Sequence, residues 1–134
     1  MSRRHFDEQL ADLSAGVRRT FERFDAYARS RAGVHVSDLF EGRSYRSAGR
    51  MIARVDPKSN SGDGYLGVRF ALAPEDLRRT IGGEVAQFVK GRPDRPSGGP
   101  PWIFARGEDP LLDAWLADTF DAAHRAVRQE SSRS

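Results

Sequence analysis

The stretch from Gly42 to Phe70, GRSYRSAGRMIARVDPKSNSGDGYLGVRF, constrains the fold most. Two segments within it alternate with a period of two, the period of a β-strand. From Arg50 to Val55, residues Met51, Ala53 and Val55 fall on one side and Arg50, Ile52 and Arg54 on the other. From Tyr65 to Phe70, residues Leu66, Val68 and Phe70 alternate with Tyr65, Gly67 and Arg69. Between these runs DPKSNSGDG, residues 56–64, is dense in turn formers, and Pro57 is expected to stop the ladder. Upstream, Ser44-Tyr45-Arg46 leads into a tight-turn signal at Ser47-Ala48-Gly49. Two such strands form an antiparallel pair, and an antiparallel sheet can keep one face wet. Arg50, Arg54, Tyr65 and Arg69 are expected on that face.

The flanking sequence supplies helices. In residues 5–30, Phe6, Leu10, Leu13, Val17, Phe21, Phe24 and Ala28 recur at three- and four-residue steps, so they share one helical face. Gly16 is expected to divide this region, with Ser14 capping the second piece. Gly33 suits a left-handed cap, and Val34, Val36 and Leu39 read as a short extended segment. Pro74 opens a short helix with Glu75 and Asp76 in its first turn, ending at Gly82-Gly83. Val85 to Val89 reads as a strand, Lys90 to Pro101 as a long Pro/Gly loop, and Trp102 to Ala105 as a short edge strand. Asp109 and Pro110 start a last helix that buries Leu111, Leu112, Trp115, Leu116, Phe120 and Val127. Residues 129–134 read as a frayed polar tail. The order predicts one α+β domain over residues 1–134, with N- and C-terminal helices packed on one face of an antiparallel β-sheet.

Composition narrows the function classes. The chain has 134 residues, 38% hydrophobic and 31% charged, with eight Phe and two Trp as core material. No apolar run approaches the roughly 18 residues of a membrane span, and the N-terminus lacks the apolar region of a signal peptide. With no cysteine, a disulfide framework, a Cys-zinc site and a thiol nucleophile are excluded, and a cytoplasmic location is expected. The histidines at 5, 35 and 124 form no metal-binding spacing. Asp121 and His124 share a helix face but need further ligands to hold an ion. The glycine-rich loop 56–64 lacks the Gly-Lys-Ser/Thr of a phosphate-binding loop, and no Gly-x-Ser-x-Gly elbow occurs. No catalytic residues, cofactor or metal are assigned, and the chain reads as a non-enzyme.

Charge is uneven. Residues 1–40 hold seven Arg against six acids, residues 41–106 twelve Arg/Lys against seven, and residues 107–134 three Arg against six. The positive excess sits in the sheet region, as a polyanion partner requires. Arg43, Arg46, Arg50, Arg54, Lys58, Arg69 and Arg92 are candidates for phosphate contact, with Tyr45 or Tyr65 offering a stacking face and Trp102 a further aromatic. A protein-interaction module, dimeric through a sheet edge or the Trp102 loop, is the alternative.

The run Arg43 to Ala53, RSYRSAGRMIA, resembles the F-x-V-G-G-K-M-F-A segment of the MmcQ/YjbR-like family. The strand Leu66 to Phe70, the helix start Pro74-Glu75-Asp76-Leu77, the segment Pro101-Trp102-Ile103 and the helix from Leu111 to Ala126 follow in that family's order, so the resemblance covers roughly residues 17–128. It implies a CyaY-like α+β fold and binding to duplex DNA, with Arg50 at the family's lysine and Trp102 at its tryptophan. Gly-Pro-Pro stands before Trp102 where the family has Lys-Arg-His, so that basic cluster is missing. Arg92 and Arg95 lie near enough in sequence to substitute for it.

Overall fold

The computed structural model describes residues 6–39, 42–58, 65–90 and 102–133. Two N-terminal helices, α1 (Phe6–Ala11) and α2 (Ala15–Ser30), precede the strands β1 (His35–Leu39), β2 (Gly42–Ser47), β3 (Arg50–Lys58) and β4 (Tyr65–Phe70). Helix α3 (Pro74–Thr80) and a 3-10 helix (Gly83–Phe88) lead to β5 (Val89–Lys90), β6 (Trp102–Ala105) and the long helix α4 (Pro110–Arg133). The six strands form one sheet in the order β1-β2-β3-β4-β6-β5, antiparallel at every junction. All described helices lie on one face of it, as an α+β chain with terminal helices is expected to arrange them.

The core lies between the helices and that face. Phe24 of α2 meets Tyr45, Phe70 and Phe120 edge-on, with ring centres 5.5, 6.2 and 5.8 Å away. Trp115 of α4 packs edge-on against Phe70 and donates its indole N–H to Thr80 Oγ1 at 2.9 Å, which ties α3 to the helical layer. Phe6, Leu13, Val17, Phe21, Phe24 and Ala28 are buried, as their spacing predicts. The helical break falls at Asp12–Ser14, and Gly16 lies inside α2. Ser14 occupies the N-cap position, but its side chain makes no capping bond. Gly33 is left-handed, with φ of 80°. Asp109 accepts the Leu111 backbone N–H at 2.8 Å, and Pro110 opens α4 as expected. Leu111, expected in the core, is instead exposed, at 41%.

Three strand expectations need correction. Val85 to Val89 is not a strand. Its residues enter a 3-10 helix, whose three-residue period puts half-buried Val85 and Phe88 on one side, and only Val89–Lys90 pair as β5. Trp102–Ala105 is not an edge strand, because β6 pairs with β4 on one side and β5 on the other. Pro57 does not stop the ladder: Pro57 faces Leu66 and Lys58 faces Tyr65. The β2–β3 pairing has already run out at Arg43 and Val55, so Pro57 lies where its missing N–H breaks no bond to β2. The last helix likewise continues to Arg133, past the start of the expected tail.

Candidate nucleic-acid interface

Parity along β3 decides where its arginines go, and a bulge resets that parity. Tyr45 pairs with Ala53, but the next residue, Arg46, pairs with Met51, so Ile52 is an extra residue on β3. Ile52 and Ala53 are consequently both fully buried, and half-buried Met51 exchanges sides with Ile52. Arg50 moves with Ile52 toward the helices, where its Nη1 meets Glu130 of α4 at 3.1 Å. Arg50 therefore does not belong to the open face.

Arg43 is on the helix side as well. It donates through Nε and Nη2 to both Asp38 oxygens, at 2.6 and 3.0 Å, and through Nη1 to Asp25 at 3.3 Å. Its guanidinium lies 4.6 Å from the Phe6 ring centre and 5.6 Å from that of Phe21. These hydrogen bonds, that to Asp38 above all, raise its pKa further above the ordinary arginine value and hold the Asp38 carboxyl below its own. Tyr45 donates its hydroxyl to Asp25 at 2.7 Å, and burial first, then that bond, pushes the phenol well above its usual range. The cluster joins β1 and β2 to α2. Its charges are spent on one another.

The opposite face carries no described helix or strand. Arg46 is exposed there, its Nη1 3.5 Å from the Gly49 carbonyl. Arg54 places Nε 3.1 Å from Asp56 Oδ1 and donates Nη1 to Ser44 Oγ at 3.4 Å. Gly42 makes room for this pair: a Cβ there would lie 1.9 Å from Asp56 Oδ1 and 2.6 Å from Arg54 Nη2. Arg69 stands opposite Arg54 on one side and Trp102 on the other, Tyr65 opposite Lys58, and Phe104 between Gly67 and Lys90. The strand positions thus bring Arg46, Arg54, Lys58, Arg69, Tyr65 and Trp102 to one face, while the side chains of Lys58, Tyr65, Lys90 and Trp102 are not described. Arg92 lies outside the described residues.

No family model, curated protein or solved structure matches this chain. The likeness to the MmcQ/YjbR-like family over roughly residues 17–128 therefore rests on those sequence segments alone.

Two further residues reach this face through the strand order. Phe104 and Lys90 join it only because β6 sits inside the sheet and β5 beyond it. The signal for Phe104 is its two-residue spacing from Trp102. Elsewhere, Asp121 is engaged by the Tyr27 hydroxyl and by Arg31 Nε at 3.3 Å. His124, its expected companion, is buried beside Phe120. Among the described residues no three His, Cys, Asp or Glu side chains converge as a metal site would require, and no helix is long and apolar enough to cross a membrane. An apolar cleft of about 280 Å³ between α2 and α4 is lined by Phe24, Ala114 and Ala117, with Arg23, Tyr27 and Asp113 at its rim.

Proposed function

We propose that this chain is a nucleic-acid-binding module without enzymatic activity, and that its contact surface is the open face of the sheet. One observation carries the reading, the surplus of basic over acidic strand positions on that face. Among the described residues, strand positions on the open face hold Arg46, Arg54, Lys58, Arg69 and Lys90 and one acid, Asp56, which pairs with Arg54. Excess fixed cations beside aromatic positions suit a phosphate backbone and its bases. The MmcQ/YjbR-like likeness points the same way.

Fluorescence polarisation with short single-stranded and duplex oligonucleotides at low salt tests the proposal. Binding is expected to weaken linearly in log–log form as salt rises. Arg69→Gln should lower that slope by about one, and Arg43→Gln should leave it unchanged. Absence of binding to every oligonucleotide at low salt would end the proposal. In that event the edge strand β1 favours pairing of two copies, which sedimentation velocity would detect as a dimer indifferent to salt.

A further inference from the structure

We infer that the open face takes single-stranded rather than duplex nucleic acid, an inference that rests on the binding proposal above. The sheet register supplies the reason. Each of the three aromatic positions on this face has a basic residue as a direct cross-strand neighbour: Tyr65 with Lys58, Trp102 with Arg69, and Phe104 with Lys90. Cross-strand neighbours stand about 5 Å apart, and positions 102 and 104 are separated by about 7 Å along β6. An aromatic position paired with a cation suits one nucleotide, whose base needs a flat apolar partner and whose phosphate needs a charge. Successive bases of an unpaired strand have both faces available for such contact, whereas those of a duplex are stacked on one another.

The surroundings favour the same ligand. The neighbour of Phe104 on β4 is Gly67, which brings no side chain of its own to the middle of the face. Phe104 itself is only half-buried, although it lies in an interior strand. Reading a duplex by its base edges calls for an element that enters the major groove, about 12 Å wide, such as a projecting helix or a two-stranded ribbon. The described residues set no helix on this side. The face is a sheet four strands across from β3 to β5, about 14 Å between the outer strands, too broad to enter that groove and broad enough to lay a strand upon.

The test compares labelled oligothymidylate, oligouridylate and a mixed-sequence duplex of equal length in polarisation titrations at low salt. At least one single strand is expected to bind about tenfold more tightly than the duplex, and the two homopolymers separate DNA from RNA as its source. Trp102→Leu and Phe104→Leu should each weaken single-strand binding about 5- to 100-fold, with little change for the duplex. Circular dichroism and thermal melting confirm that each variant is folded. Tryptophan emission of the unaltered protein gives a reading that needs no variant. Trp115 is 5% exposed on the helix side, so quenching by an unlabelled single strand must come from Trp102. Duplex binding as tight as single-strand binding would overturn this inference and leave the binding proposal standing. Single-strand binding without quenching, and unaffected by loss of either aromatic, would also overturn it. Failure of all three ligands to bind removes the binding proposal itself.

Discussion

The space a Cβ would take at Gly42 is already filled by the Arg54–Asp56 pair. This glycine is needed for close approach, on a strand whose own backbone makes no such demand. Gly42→Ala should force the pair apart and cost about 1–3 kcal/mol in a urea unfolding titration; an unchanged midpoint would show that the pair has room to yield. His124 poses a different residue-scale problem. It is 7% exposed, and its Nε2 is buried without a hydrogen-bond partner. Burial above all, then the nearby Arg128, holds the imidazole below its ordinary pKa, with Asp121 opposing them and Arg31 adding a smaller push downward. A group whose folded pKa is depressed binds its proton more readily in the unfolded chain, so stability rises with pH between the two values. The protein should therefore lose stability as pH falls below about 6.5, the ordinary histidine value. His124→Leu, which keeps contact with Phe120, should flatten that interval. Melts across the pH range in both proteins check this, and parallel curves would count against it.

At the scale of elements, the β2–β3 hairpin shows what was legible and what was not. The turn at Ala48-Gly49 was readable because glycine marks it, and both residues are left-handed, with φ of 52° and 77°. Alanine pays a steric cost there that asparagine largely avoids. Ala48→Asn should stabilise the protein by about 0.5–1 kcal/mol, part of the roughly 1–2 kcal/mol left-handed penalty. Gly49→Ala should lose about 1–2 kcal/mol, although a Cβ there meets nothing within 4 Å, because the cost is conformational. Thermal melts of the two variants should move in opposite directions. The bulge at Ile52 was not legible. Alternation carries no mark of an inserted residue when both candidates, Met51 and Ile52, are apolar. That one slip moved Arg50 from the expected binding face to an ion pair with Glu130. Val85 to Val89 misled for a related reason: two β-branched residues at its ends outweigh what a three-residue period does with Val85 and Phe88.

At the scale of the whole molecule, charge follows the two sides of the sheet more closely than it follows the sequence. The basic excess in residues 41–106 was visible in the sequence, but its division was not. Arg43 stands one residue before Ser44, whose hydroxyl lies on the open side beside Arg54, so Arg43 turns to the helices and is consumed by Asp38 and Asp25. Arg43→Met should cost about 2–4 kcal/mol in chemical denaturation, because it strips a mostly buried charge pair and two ring contacts. It should leave oligonucleotide affinity unchanged under conditions where the protein is folded. Arg69→Gln should do the reverse, with a stability change under about 1 kcal/mol. If Arg43→Met weakened binding as much as Arg69→Gln, the division between the two sides would not be functional. The α+β class and the one-sided helical layer were legible because apolar periodicity is strong in α2, β4 and α4. The face opposite depends on strand order, which no local pattern encodes.

The strand order has a kinetic consequence. Strands β1 to β4 pair with their sequence neighbours, so they close short loops, and that half of the sheet can assemble early. Strand β6 must instead settle between β4 and β5, with the whole of α3 and the 3-10 helix in the intervening chain. The transition state is expected to hold the meander and lack β6. Val55→Ala should then slow folding, whereas Ile103→Val should chiefly speed unfolding, and a stopped-flow chevron for each separates the two effects. Equal slowing of folding by both would place β6 in the nucleus. If they differ as expected, the strand bearing Trp102 and Phe104 joins last, and the proposed binding face is complete only when the sheet is.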